Sequence, residues 1–101
     1  MKLVQIFLPR YDNSGRRLAA TLFARERERL IERYGGLTAY TRAPAVGLWK
    51  DGPKTKRDEI IIFEVMIRSV DRKWWTDYRN KLRKRFRQKE VLIRIQDVKL
   101  L

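Results

Sequence analysis

The chain has 101 residues, with 25 Lys and Arg against 12 Asp and Glu, and its formal net charge is +13. It contains no cysteine and no histidine. This composition excludes disulfides, zinc sites built on Cys and His, and nucleophilic catalysis by Ser–His or Cys–His pairs. Hydrophobic residues make up 44% of the chain, which predicts one globular domain over residues 1–101 with a modest core. No cofactor is predicted.

The N-terminal segment does not have the features of a signal peptide. Its apolar run, residues 3–8, is short and is interrupted by Gln5. The sequence contains no stretch near the roughly 18 apolar residues that cross a bilayer. Together with the lack of cysteine, this predicts a soluble cytoplasmic protein with no membrane partner.

The first half of the chain predicts a strand, a helix and a second strand. Residues 2–8 alternate between two faces, and residues 16–34 carry apolar side chains at helical spacing. Gly35 and Gly36 supply the helix stop, and residues 37–42 form the second strand. The charge run at residues 25–29 is interpreted as a solvated helix face. The turn at residues 12–15 can cap the helix.

A long connection is expected over residues 43–57, because this segment contains Pro44, Gly47, Gly52 and Pro53. At about 15 residues it exceeds an ordinary hairpin loop, and such loops often carry function. The segment Gly47–Trp49 can extend the second strand after a bulge. The predicted turn is Lys50–Pro53.

The second half predicts a strand over residues 58–68, a helix over 71–89 and a last strand over 90–98. Ser69 or Asp71 is expected to cap this helix. Its core-facing side chains are predicted to be Trp75, Tyr78, Leu82 and Phe86. In the last strand the core-facing side chains are predicted to be Val91, Ile93 and Ile95.

The order β-α-β-β-α-β predicts a ferredoxin-like α+β fold, a four-stranded antiparallel sheet with two helices on one face. The second face mixes apolar and polar side chains where water would favour polar ones. An apolar surface of this kind usually marks an interaction site, so we expect a homodimer packed sheet against sheet. The face carries Leu3, Gln5, Phe7, Thr38, Tyr40, Arg42, Ile60, Ile62, Glu64, Met66, Leu92, Arg94 and Gln96.

Several segments together resemble a known family. They are residues 36–40, 47–49, 57–65 and 86–92, together with Tyr78. The chain resembles small bacterial proteins of unknown function, about a hundred residues long, with a ferredoxin-like or dimeric α+β-barrel plan. The resemblance covers most of the chain and implies the fold. It implies no catalytic residue.

Five residues are candidates for a ligand pocket between the sheet and the long connection: Tyr40, Arg42, Trp49, Glu64 and Arg94. The arginines would supply charge for an anionic ligand, and Tyr40 and Trp49 would supply stacking surface. Glu64 stands mid-strand among apolar residues, where it could orient a ligand or transfer a proton. Alternatively, Glu64 forms a structural ion pair with an arginine across the sheet or across the dimer, and Trp49 pins the loop. The sequence does not favour an enzyme.

The second helix predicts a different class of partner. Its residues 72–89 carry nine basic side chains and one acidic one. Arg83, Lys84 and Arg87 are expected to face water, where they could contact the phosphates of a nucleic acid. The alternative is that this basic face is simply solvated. Stacking of RNA bases on Phe7 and Tyr40 is less favoured, because the third strand lacks the glycine-aromatic pattern of RNA-recognition modules.

Overall fold

The sheet has the strand order β2-β3-β1-β4, and all its strand pairs are antiparallel. The computed structural model describes residues 1–51 and 54–101, with the backbone alone over 42–47, 49–51 and 54–58. This is the predicted α+β arrangement of the ferredoxin-like type, and the prediction is confirmed. The elements are β1 (Lys2–Pro9), α1 (Ala20–Tyr34), β2 (Thr38–Asp51), β3 (Lys54–Ile67), α2 (Arg72–Arg85) and β4 (Leu92–Asp97).

The core lies between the two helices and one face of the sheet. Alternate residues of β1 and β3 point into it, because side chains along a strand alternate between faces. Val4, Ile6 and Leu8 have no exposed surface, as the sequence predicted. Ile95 was also expected in the core, but it is 41% exposed because β4 is an edge strand. The buried apolar residues are Val4, Ile6, Leu8, Phe23, Leu30, Ile61, Phe63, Val65, Ile67, Trp75, Tyr78, Leu82, Phe86 and Val91.

Helix α1 begins at Ala20, four residues after the predicted start. The preceding chain forms its own turn, in which the Asp12 carboxylate accepts hydrogen bonds from the backbone N–H groups of Ser14 and Arg16. Asp12 therefore stabilises this turn and does not cap the helix; Ala19 occupies the N-cap without a side-chain bond. The predicted stop is confirmed, since Gly35 has φ of 81°.

Helix α2 is capped as predicted, because the Asp71 carboxylate accepts a hydrogen bond from the backbone N–H of Trp74 at 3.1 Å. The helix ends at Arg85, before the expected residue 89. Arg87 has φ of 49°, a left-handed conformation that an α-helix cannot continue. The chain then turns into β4, which begins at Leu92 and not at residue 90.

The prediction of a long connection over residues 43–57 is wrong. Residues Ala45–Asp51 of β2 pair with Lys54–Ile60 of β3, after a register shift between Tyr40 and Ala45. The predicted bulge and strand extension are thus confirmed; Gly52 and Pro53 of the predicted turn lie outside the described residues. Pro44 and Gly47 suggested a loop, but an edge strand with a bulge tolerates both residue types.

Beyond the end of β1, only β2 and β3 continue, as a two-stranded hairpin among the described residues. The last residue of β1, Pro9, pairs with Ile60, and the paired residues further along are Val46–Asp51 and Lys54–Glu59. We call this segment the ribbon. It continues the sheet along the strand direction past the end of β1, in a molecule with principal extents of 43, 28 and 27 Å.

Candidate binding surface on the open sheet face

The face of the sheet opposite both helices, called the open face, is organised in rows that cross the strands. The strand registers place one polar row, Thr38–Glu64–Gln5–Arg94, across all four strands. An apolar row lies on either side of it. One of these rows is Tyr40–Ile62–Phe7–Leu92, and the other is Met66–Leu3, which ends at the polar Gln96 on β4.

The open face exposes large apolar and aromatic side chains. Leu92 is 56% exposed, Tyr40 47% and Met66 39%. Phe7 and Ile62, between Tyr40 and Leu92 in their row, are half-buried. The chain's own helices lie on the other side of the sheet, so the face has the character of an interaction surface.

Glu64 is held by two neutral donors at the middle of the polar row. Gln5 Nε2 donates to Glu64 Oε1 at 2.6 Å, and the Tyr40 hydroxyl donates to Oε2 at 3.3 Å. Glu64 is half-buried. The two hydrogen bonds fix the direction of the carboxylate and leave lone pairs free for a further donor.

Glu64 and Arg94 do not form the predicted ion pair within the chain. They stand on β3 and β4, and Gln5 on β1 lies between them. Neighbouring strands are about 4.8 Å apart, which separates the two backbones by about 10 Å. The alternative partner, Arg42, has a side chain outside the described residues.

Arg94 lies over an aromatic ring instead of a carboxylate. Its guanidinium carbon is 4.5 Å from the centre of the Phe7 ring, a cation–π contact. Among the side chains that the structure describes, none forms an ion pair with Arg94. The guanidinium is therefore exposed and available to an anionic group.

The structure brings together some of the predicted ligand residues. Tyr40 and Glu64 are in contact. Arg94 lies on the polar row with Glu64, two strands away from it. Trp49 belongs to the ribbon, and its side chain lies outside the described residues, as does that of Arg42. The loop expected to roof a pocket is replaced by the ribbon, so within the described residues this surface is an open face.

The three residues predicted for nucleic-acid contact lie together at the end of α2. Arg83, Lys84 and Arg87 line one shallow cavity, and all three are exposed. Two hydrogen bonds position the chain around this cavity. Arg83 Nε donates to the Lys89 carbonyl at 2.8 Å, and the Asn13 backbone N–H donates to the Arg87 carbonyl at 3.1 Å. The other lining residues are Asn13, Asn80 and Gln88.

A buried carboxylate between the helices was missed by the sequence interpretation. Glu26, predicted to be solvated, has no exposed surface. It accepts hydrogen bonds from Tyr78 at 3.2 Å, Arg85 at 3.1 Å and Arg29 at 3.2 Å. Burial, and then the negative charge of Glu26, raise the pKa of the Tyr78 hydroxyl. The spacing of Phe23, Glu26 and Leu30, three and then four residues, was the signal that placed position 26 on the buried stripe.

Metal binding and membrane insertion find no support in the described part of the chain. Among the side chains that the structure describes, no three acidic groups are arranged to hold a metal ion. Neither described helix is long and apolar enough to cross a membrane.

No protein-family model matches the sequence, and no curated protein matches it. The fold is similar to a solved structure, a phage SAM lyase in complex with S-methyl-5'-thioadenosine. The TM-score is 0.56 and the identity 14%, over 95% of this chain and 80% of that chain. At this identity the similarity shows a shared fold. The resemblance to small bacterial proteins stays a prediction.

Proposed function

We propose that the protein is a homodimer that packs through its open face and binds a small anionic or aromatic ligand beside Tyr40 and Glu64. One observation carries the proposal: a polar row with a fixed carboxylate crosses a face that is otherwise apolar and that neither helix covers. We place this binding protein in the bacterial cytoplasm, in keeping with its lack of cysteine.

The exposed apolar side chains support association. Full burial of a large apolar side chain is worth about 1.5–3 kcal/mol. Leu92, Tyr40 and Met66 on the open face are partly exposed, so covering each of them would add roughly half of that value. A two-fold dimer makes one patch meet itself. A second copy therefore gains these contributions twice, once from each subunit.

The ligand class follows from the groups beside Glu64. Tyr40 offers a ring for stacking, and the Glu64 carboxylate, held by Gln5, can accept a hydrogen bond from a ligand. Arg42 and Trp49 follow on the same strand and would add charge and stacking surface. These are recognition groups, so we propose binding and not catalysis.

Two measurements test the proposal. Sedimentation velocity between 1 and 100 µM, chosen to span roughly micromolar affinities, is expected to give a dimer mass. Calorimetric titration with ATP, and with S-methyl-5'-thioadenosine as an uncharged aromatic probe, is expected to show binding that Tyr40→Ala weakens at least about tenfold. Thr38→Ser, two residues before Tyr40 on β2, is the control. A monomer mass throughout this range contradicts the dimer, and titrations without heat contradict the ligand class.

A second candidate function is nucleic-acid binding through α2. The specific observation is the shallow cavity that Arg83, Lys84 and Arg87 share with two asparagines. Three cations around a cavity with amide donors suit phosphate oxygens. The net charge of +13 would draw a polyanion toward this surface.

This candidate is tested with labelled DNA of mixed sequence at low and moderate salt. Replacing Arg83, Lys84 and Arg87 together by glutamine is expected to reduce the slope of log affinity against log salt by about 0.9 per lost phosphate contact. The control replaces Arg72, Arg79 and Lys81, on the same helix, and removes the same charge. Equal effects of the two triple variants would indicate nonspecific attraction, and no binding at low salt would exclude the candidate.

A further inference from the structure

We infer that Glu64 of each subunit pairs with Arg94 of the partner subunit across the two-fold axis of the dimer. This inference rests on the proposed homodimer and adds its geometry. It makes each ligand site a composite of two subunits, with Tyr40 and Glu64 from one and Arg94 from the other.

The two charges lie on opposite sides of the central strand β1. Glu64 on β3 and Arg94 on β4 stand on the same row, one on each side of β1, and Gln5 lies midway between them. Each is about one strand spacing from Gln5. The charges of the row are therefore opposite in sign and equally distant from β1.

The symmetry of the dimer decides which side chains face each other. Two sheets packed face to face are related by an axis lying between them, and aligned packing leaves that axis along the strands or across them. An axis along β1 exchanges the two sides of the sheet. It places Glu64 opposite the partner's Arg94, and Ile62 opposite the partner's Leu92. An axis along the polar row would place each charge opposite its own copy, where like charges repel. The charge pattern selects the axis along β1.

Burying the open face in a dimer also buries the charge of Arg94. In one chain the described contact of the Arg94 guanidinium is the Phe7 ring, which accepts none of its N–H groups as a carboxylate does. Burying an arginine without an acceptor is unfavourable. Glu64 is the sole carboxylate of the open face among the side chains that the structure describes. Its two neutral donors occupy part of its lone pairs, and the remainder can accept the partner's Arg94.

A consequence for ligand binding follows. An anionic ligand at Tyr40 would compete with Glu64 for the partner's Arg94. The ligand would then contact both subunits, and its affinity would depend on dimer formation.

Charge exchange tests the pairing. E64R and R94E are each expected to raise the dimer dissociation constant at least tenfold in sedimentation velocity, because each creates two like-charge contacts. The double variant E64R/R94E restores the opposite charges and is expected to return the constant to within threefold of the unmodified protein. The control reversals, R25E and E28R, lie on the exposed side of α1 and are expected to leave the constant unchanged.

The outcomes separate the pairing from the dimer itself. A monomeric unmodified protein overturns both. A dimer that the single reversals leave unchanged, or that the double variant does not restore, overturns the pairing and leaves the dimer standing. If circular dichroism shows that a reversal prevents folding, E64Q, R94Q and their combination replace it. A coupling of more than threefold then supports the pairing, and additive effects overturn it.

Discussion

The Tyr78 hydroxyl on α2 donates a hydrogen bond of 3.2 Å to Oε1 of Glu26 on α1, and this carboxylate has no exposed surface. Arg29 and Arg85 donate to the same carboxylate from its solvent side. A buried charge is tolerated when it is paired and hydrogen-bonded. This cluster therefore fixes the two helices relative to each other above the core.

Glu26→Ala is expected to lower the free energy of unfolding by about 2–3 kcal/mol, at or below the usual cost of breaking a buried pair. The Tyr78 hydroxyl loses its acceptor, whereas Arg29 and Arg85 are partly exposed and regain water. Urea unfolding measures the change. Glu28→Ala, exposed on the same helix, is the control and is expected to change stability by less than about 0.5 kcal/mol. Equal effects of the two substitutions would contradict a structural role for Glu26.

Gly35→Ala is expected to destabilise the protein by about 1 kcal/mol, because the residue that ends α1 has φ of 81° and an alanine is strained there. A Cβ at this position would meet no atom within 4 Å, so the cost is conformational and not steric. Gly36→Ala is the matched control, since that position also has open space and no positive φ. Thermal unfolding of both variants measures the difference, and a Gly36 variant as unstable as the Gly35 variant would contradict this account.

Asp71→Ala is expected to cost about 1 kcal/mol of stability, because the backbone N–H of Trp74 loses its capping acceptor. The Asp71 carboxylate also lies 4.0 Å from the Arg33 guanidinium. A second variant separates the effect of this ion pair from the effect of the cap. Asp71→Asn keeps a side-chain oxygen at the N-cap and removes the charge. Denaturant unfolding is expected to show most of the stability retained in the asparagine variant, and an equal loss in both would assign the effect to charge.

The Asp12 carboxylate is expected to make part of the protein's stability sensitive to acid. The backbone hydrogen bond from Arg16 is the main cause that lowers the pKa of its carboxyl from the ordinary value of 3.8, and the bond from Ser14 adds to it. Since the folded-state pKa is depressed, the stabilisation is present above pH 3.8 and is lost as the pH falls through the lower folded value.

The test compares Asp12→Asn with the unmodified protein in urea between pH 7 and pH 2. The stability difference is expected to be largest at neutral pH and to shrink below about pH 4. Glu28→Gln controls for the loss of one carboxylate. A difference that stays constant on acidification would contradict the role assigned to Asp12.

Strand alternation predicted most of the fold. The two faces of β1 and β3, the capping role of Asp71 and the stop at Gly35 all follow from local rules, and the structure has each of them. The ribbon was predicted only in part, as an extension of β2 over Gly47–Trp49, because Pro44 and Gly47 have loop character. The pairing of Gly47 with Asp58 depends on a bulge and on an opposite strand more than ten residues away.

The candidate site was predictable in part. Glu64 was identified from one polar residue in an apolar strand, but its partners Gln5 and Tyr40 depend on the sheet register. Glu26 was missed because charge runs are usually solvated. Its partner Tyr78 stands 52 positions later in the chain, and local sequence rules do not report contacts at that distance.

The central position of β1 also has a kinetic consequence. This strand is synthesised before β3 and β4, yet Leu3 pairs with Met66 and Gln96. Its apolar residues therefore stay unpaired until both of these later strands have been made. Contacts between such distant positions slow folding. We expect refolding from urea in milliseconds to seconds, more slowly than for a helical bundle of the same length.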